Sequence, residues 1–239
     1  MRINKYLAGA GVAARRKIDE MIEKGKVRVN GKKAVLGLKV DPEVDEIEVD
    51  GEKISGGSLK VEKLYIILNK PRGVVSTVTD THERKTVLDY IESDKRLYPV
   101  GRLDYESEGL ILLTNDGDLA NKLMHPRYHI PKTYLVSVIG GLGDKKLYAL
   151  RNGVRLTDGK TAPAVVEIVS KGGRQTTLKM VISEGRNRQI RRMAEKLHLH
   201  VSKLKRVEIG PIILGDLTSG KWRELTPKEV ESLKAAAAV

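Results

Sequence analysis

The sequence predicts an α+β fold made of a small basic module followed by a larger, strand-rich unit. Three observations predict it. Apolar residues near the N-terminus recur at helical spacing and then switch to strand alternation. A glycine- and serine-bearing segment interrupts the pattern after residue 50. Beyond it, short apolar runs bounded by turn residues dominate.

Ile3, Tyr6, Leu7 and Ala10 share one face of a helix that Gly11 can end. Ala14, Ile18, Met21 and Ile22 form a second stripe, closed by Gly25. Val27 and Val29 alternate with Lys26 and Arg28 ahead of an Asn30-Gly31 hairpin signal. Ile47 and Val49 alternate with acids as a half-exposed strand. Residues 51–63, with Ser55-Gly56-Gly57-Ser58 at their centre, read as a linker. The expected division is therefore a module with its linker over 1–58 and a second domain over 59–239, whose first strand begins near Leu64.

In the larger unit, LYIILNK (64–70) reads as a strand running into a Pro71-Arg72-Gly73 turn. A strand-like approach ends at Gly101, and the apolar run Leu110–Leu113 reads as a buried strand closed by Asn115-Asp116-Gly117. Leu119 and Leu123 mark a short helix after Asp118. TYLVSVIG (133–140) alternates as a strand, and 163–182 hold two strand-like runs around Lys171-Gly172-Gly173. Ile190, Met193, Ala194 and Leu197 place a helix over 187–197, which Asn187 can cap. Thr226-Pro227-Lys228-Glu229 opens a final helix with a capping-box pattern, and the Ala-rich end (235–238) reads as its fraying terminus.

Composition narrows the function. The 239 residues hold 44 Lys+Arg against 31 Asp+Glu, a formal net charge of +13. The excess is clustered. Residues 1–39 carry 11 basic and 3 acidic side chains, and residues 184–206 carry 8 and 2. Clustered positive charge is the footprint of a polyanionic partner, because each neutralised phosphate releases counterions. Arg15, Arg16, Lys17 and Arg28 face outward in the first cluster; Arg186, Arg188, Arg191 and Arg192 build the second. With no cysteine, disulfides and thiolate zinc sites are excluded, as suits a reducing cytoplasm. Apolar runs fall far short of the roughly 20 residues that cross a bilayer, and no signal-peptide core opens the chain. No membrane association is expected.

Asp104 is the leading candidate for chemistry. It follows Gly101-Arg102-Leu103 at the mouth of a buried strand, where a nucleophile or base can be held rigidly. The competing reading is a turn aspartate that caps a backbone group. Glu106 and Glu108 offer paired-carboxylate chemistry of the glycosidase kind, or simply face water. The arginines after Glu184 can fork onto a carboxylate or onto phosphates. Tyr134 is either a core aromatic or a stacking group for a flipped base. His198 and His200 lack a third ligand, and the Gly140-Gly141-Leu142-Gly143 run lacks phosphate-loop spacing, so neither a metal nor a nucleotide cofactor is expected.

Taken together, these residues resemble the RsuA/RluB-type ribosomal RNA pseudouridine synthases. Residues 1–48 are similar to an S4 RNA-binding domain. LNKPRGVVST (68–77), GRLDYESEGLILLTNDG (101–117) with LANKLMHP (119–126), KTY (132–134) and EGRNRQIRRM (184–193) are similar to the family's catalytic motifs, in order. No motif position departs from the family's pattern.

The resemblance implies a small S4-like domain followed by a mostly antiparallel-sheet catalytic domain. It implies isomerisation of a uridine to pseudouridine in ribosomal RNA, without cofactor, metal or energy source. It implies that Asp104 is the essential aspartate and that Tyr134 packs on the target base. It implies that Arg191, or failing it Arg188, pairs with Asp104. Arg102, Lys70, Arg186 and Arg188 are then expected to bind substrate RNA, with Arg15, Arg16, Lys17 and Arg28 contributing from the first module. The expected partner is ribosomal RNA or a pre-ribosomal particle, met by a cytoplasmic monomer. KTY, TAPA (161–164) and EGRNRQIRRM resemble the large-subunit branch. The rival reading is a non-catalytic RNA-binding assembly factor that uses the same fold as a platform.

Overall fold

A computed structural model, which describes residues 1–54 and 62–237, divides the chain into Met1–Lys63 and Leu64–Val239. The first unit packs α1 (Ile3–Gly9) and α2 (Arg15–Glu23) over a small antiparallel sheet. Its strands are β1 (Val27–Val29), β2 (Lys32–Lys33), β3 (Ile47–Val49) and β4 (Glu52–Ile54), in the order β2-β1-β3-β4. Ile3, Leu7, Ile18, Ile22, Val27, Val40, Ile47 and Val49 form its core. Asn30 and Gly31 sit at φ 51 and 76, the left-handed pair that a tight β1–β2 hairpin needs.

The first residues of the segment read as a linker form a strand instead. Glu52, Lys53 and Ile54 pair with β3, because alternate side chains on a half-exposed edge can be charged. Ser55-Gly56-Gly57-Ser58 lie outside the described residues. The larger unit starts at Leu64, not 59: its N–H donates to Asn115 Oδ1 at 3.0 Å and its carbonyl accepts from Thr114 Oγ1.

The larger unit runs β5 (Tyr65–Lys70), β6 (Tyr98–Val100), β7 (Glu108–Thr114), α3 (Gly117–Met124) and β8 (Lys132–Ile139). Then come α4 (Asp144–Asn152), the hairpin β9 (Arg155–Leu156) and β10 (Gly159–Lys160), β11 (Val165–Gly172) and β12 (Gln175–Ile182). It closes with α5 (Gln189–Lys196), β13 (His200–Ile209), β14 (Ile212–Ile213), β15 (Trp222–Glu224) and α6 (Pro227–Ala236). Among the described residues the main sheet has the order β11-β12-β8-β13-β7-β5-β15, with β14 beside β13 and β6 beside β7. Its pairings are antiparallel except β7 with β13, where Lys205 meets Glu108 and Arg206 meets Gly109 in parallel register.

The continuous apolar runs of β5 and β7 have a simple cause: the sheet is covered on both faces. Ile66, Leu68, Ile111 and Leu113 enter one core with Ile190 and Met193 of α5. Tyr65, Ile67, Leu110 and Leu112 enter another with Leu119 and Leu123 of α3 and Leu233 of α6. Fully burying one such side chain stabilises by about 1.5–3 kcal/mol.

Several local expectations change. Helix α3 begins at Gly117, one residue before Asp118, because Asp116 is its N-cap and accepts from Leu119 N at 3.2 Å. Asn187 does not cap α5; Arg188 occupies the N-cap at φ 48 and makes no side-chain cap bond. The longest strand, β13, was not apparent as a strand. Register shifts between Val201 and Lys203 and between Arg206 and Glu208 break its alternation. Thr226 and Glu229 do form the reciprocal capping box that opens α6.

Candidate active site

Strand β6 delivers the chain into the loop that carries Asp104, and three sets of bonds fix that loop. Ser76 Oγ, buried, donates to Leu103 O at 2.8 Å and accepts from Leu103 N at 3.0 Å. Ser107 N closes a turn onto Asp104 O at 3.0 Å, and Gly73 N reaches Tyr105 O at 2.8 Å. The backbone on both sides of Asp104 is thus tied to neighbouring loops, which is how a reactive side chain is held in place.

Asp104 opens onto a cleft of about 740 Å³, in the size range of small-molecule sites. Arg102, Lys132, Tyr134, Arg188 and Arg206 share its lining. Arg191 stands behind the acid, projected from α5, whose apolar face is locked into the core by Ile190, Met193 and Ala194. Its Nε lies 3.8 Å from Asp104 Oδ2, and its Nη1 lies 3.8 Å from Glu106 Oε2. Its Nη atoms donate to Val201 O, Glu106 O and Ser107 Oγ, each at 3.4 Å. Burial pulls the Arg191 guanidinium below its ordinary value, while Glu106 and Asp104 oppose that shift. Arginine stays protonated through such shifts, so the group beside Asp104 is a fixed cation.

Tyr134 lies on β8, paired with Met180 on one side and Arg206 on the other. Its ring is buried against the core, and among the described residues its hydroxyl makes no hydrogen bond. Tyr134 also lines the cleft.

The remaining sequence candidates divide. Arg102 and Arg188 are exposed and line the cleft, and neither makes an ion pair with Asp104 among the described residues. Arg186 also lines it, but its donors are engaged by Glu184 Oε2, Asp158 O, Gly159 O and Lys160 O. It latches the β9–β10 hairpin and contributes fixed charge, not a free phosphate clamp. Lys70 corrects the expectation of an RNA contact. It is fully buried, and its Nζ donates to Pro71 O at 2.9 Å and Val74 O at 2.8 Å. Burial pushes its amine down to about 8, with Asp104 and Glu108 opposing and Arg206 adding to the shift. Its visible work is to hold the turn beneath the cleft. In the first unit, Arg15, Arg16, Lys17 and Arg28 are all exposed.

A two-carboxylate site does not form. Glu108 is held by Lys203 at 3.1 Å, and Glu106 points outward with its side chain 55% exposed. Glu184, which also lines the cleft, is consumed by Ala162 N, Gln189 Nε2 and Arg186 Nε. Asp104 is the cleft carboxylate that remains available. Among the described residues no three His, Asp or Glu converge as metal ligands. Sequence reasoning missed Ser76 and Arg206. The pattern of β13 gives no signal for the latter, because register shifts break its alternation.

An available carboxylate, backed by a buried arginine and flanked by cations in one cleft, is an arrangement suited to chemistry on an anionic substrate. Residues 64–196 match the family model described as RNA pseudouridylate synthase, and residues 1–47 match the S4 domain. The chain is 48% identical over 240 residues to the ribosomal large subunit pseudouridine synthase B of Bacillus subtilis (strain 168), covering 99% of this chain and 96% of that one. It is 38% identical over 233 residues to the dual-specificity RNA pseudouridine synthase RluF of Escherichia coli O157:H7, covering 98% and 78%. A solved pseudouridylate synthase structure superposes with a TM-score of 0.70 at 30% identity, over 98% of this chain and 99% of that one. The chain belongs to the RNA pseudouridylate synthase family and carries an N-terminal S4 domain. The fold class and the mostly antiparallel sheet expected from the sequence hold. No helix of the described residues is long and apolar enough to cross a membrane.

Proposed function

We propose that the chain isomerises one uridine of ribosomal RNA to pseudouridine, with large-subunit RNA the favoured substrate. It acts in the cytoplasm as a monomer, on free ribosomal RNA or a pre-ribosomal particle. The N-terminal S4-like module supplies RNA affinity and the larger unit that starts at Leu64 the chemistry. The observation that carries this reading is the juxtaposition of Asp104, backed by Arg191, with Tyr134 across one cleft. The names of the full-length relatives support the large-subunit assignment.

The reaction moves no atom in or out. The N1–C1′ bond breaks, the uracil turns, a C5–C1′ bond forms, and the proton on C5 leaves while N1 gains one. The nucleotide must first be extruded from its stack, at a cost of a few kcal/mol. Asp104 then either attacks C1′ or takes the C2′ proton. Tyr134 packs on the detached base, keeps it over the sugar and assists removal of the C5 proton. Water must be kept from the separated sugar, which it would otherwise trap.

The test is incubation with unmodified ribosomal RNA followed by carbodiimide-dependent reverse-transcription stops. One new stop, absent with Asp104→Asn, is expected. The absence of any stop on 23S or 16S RNA, or on their precursor particles, would leave only an RNA-binding role. Release of free uracil would instead indicate a glycosidase.

A further inference from the structure

Lys132, Tyr134 and Arg206 lie together on the cleft side of β8 and β13. Arg206 is 4% exposed; its Nε donates to Leu110 O at 2.7 Å, but its buried Nη2 has no partner. Lys132 makes no hydrogen bond or ion pair through its ammonium among the described residues. Desolvation and the charge of Arg206 push it down to about 8.

The charge around Arg206 is uneven. Lys70, its other cationic neighbour, also feels the opposing charges of Asp104 and Glu108. Lys132 has Arg206 as a charged neighbour and no ion-pair partner among the described residues, so two cations share one partly desolvated wall of the cleft. Such an arrangement is costly in a free protein and is relieved by an anion. Uridine is uncharged as a base, so the anions that an RNA brings are its phosphates.

We propose that Lys132 and Arg206 form a subsite for a backbone phosphate adjoining the nucleotide presented to Asp104. A planar guanidinium offers a directed donor and the flexible ammonium a point charge, a combination suited to one phosphate. Because Arg206 is paired with Tyr134 across the strands, this contact would fix where the extruded nucleotide's backbone lies relative to its base. The inference rests on the RNA reading of the cleft, and its test separates the two.

The first arm needs no turnover. Lysine and arginine ¹³C resonances of the full-length protein are followed with uridine 5′-monophosphate and with uridine. The nucleotide is expected to shift Lys132 Cε and Arg206 Cδ and to raise the Lys132 titration midpoint, while uridine leaves both in place. Arg206→Gln is expected to shrink the Lys132 response about fivefold or more, and Arg206→Lys to restore part of it. Equal responses to nucleoside and nucleotide, or none to either, would overturn the subsite whatever the enzyme's activity.

The second arm replaces single phosphates flanking the mapped uridine by methylphosphonate. One replacement is expected to raise KM about tenfold with kcat held, and to have no further effect in Lys132→Gln. Lys132→Gln lies at a half-buried position and keeps the test alive if Arg206→Gln fails to fold. Additive effects of variant and replacement would overturn the proposal.

Discussion

Arg191 Nε stands 3.8 Å from Asp104 Oδ2, close enough for charge attraction and too far for a hydrogen bond. That Nε is buried and has no other partner. The arginine therefore biases the carboxylate without fastening it, and Asp104 keeps its lone pairs for the substrate. Contacts of this kind commonly tighten once substrate is bound.

Asp104→Asn removes the reactive charge and little volume. Pseudouridine formation is expected to fall by about 10³-fold or more, with RNA affinity and melting temperature near those of the parent. Gel-shift titration, thermal denaturation and carbodiimide mapping on one preparation separate these outcomes. Retained turnover would remove Asp104 from the chemistry.

Arg191→Lys keeps one positive charge but loses the branched reach toward Val201 O, Glu106 O and Ser107 Oγ. It is expected to lower kcat about 10–100-fold with a smaller change in KM. Single-turnover rates at saturating RNA measure this. An unchanged kcat would show that the pairing is structural alone.

Gly109 supports the same site from the sheet. It adopts φ 105, and a Cβ there would sit 2.2 Å from Arg206 O and 2.7 Å from Arg206 N. Gly109→Ala must push β7 and β13 apart where they run parallel. A destabilisation of about 3 kcal/mol is expected, seen as a melting temperature lower by about 6–12 °C. Differential scanning calorimetry reads it directly, and a shift under about 2 °C would contradict the close approach.

Much of this site was legible in the sequence, and the rest was hidden for identifiable reasons. The apolar runs of β5 and β7 declared strands buried on both faces, and the turn residues around Asp104 marked where β7 is entered. What spacing could not reveal was partnership. Arg102 is near Asp104 in sequence yet makes no ion pair with it among the described residues, whereas Arg191 arrives from a distant helix. Lys70 sits in a motif and looks like a surface base, but two backbone carbonyls hold it inside. Arg206 was obscured because bulges in β13 erase the alternation that would have placed it on the cleft face.

The triple variant Arg15→Ala, Arg16→Ala, Lys17→Ala tests the division of labour. These side chains are exposed, and Lys17 bonds its helix neighbour Glu20 at 3.0 Å. RNA affinity should weaken, and the slope of log Kd against log salt should fall by about 0.7–0.9 for each phosphate that the variant no longer neutralises. Turnover at saturating RNA should hold. Abolished turnover at saturation would place these residues in the catalytic assembly.

Glu229 gives a pH signature unrelated to catalysis. It accepts both Arg223 Nη donors at 2.8 Å and the Thr226 N–H at 2.8 Å. The Arg223 pairing, joined by the Thr226 bonds, lowers its carboxyl to about 2. A lowered folded value contributes stability that is complete above the unfolded glutamate value, about 4.3, and is lost as pH falls toward about 2. Arg223 is partly exposed, so screening limits the pair to about 1 kcal/mol. Glu229→Gln should therefore melt about 2–4 °C lower at neutral pH, with the gap narrowing below about pH 4. A gap that widens on acidification would reverse the assignment.

The parallel register of Gly109 with Arg206 has a consequence for biosynthesis. A nascent chain exposes Asp104 well before α5 and β13 emerge, and until they do the start of β7 has one neighbour and the acid has no arginine. Pairings so distant along the polymer form late. Competence thus arrives only once β13 has been made. A truncation at residue 196 would retain every recognisable catalytic motif and still lack a wall of the chamber in which they operate.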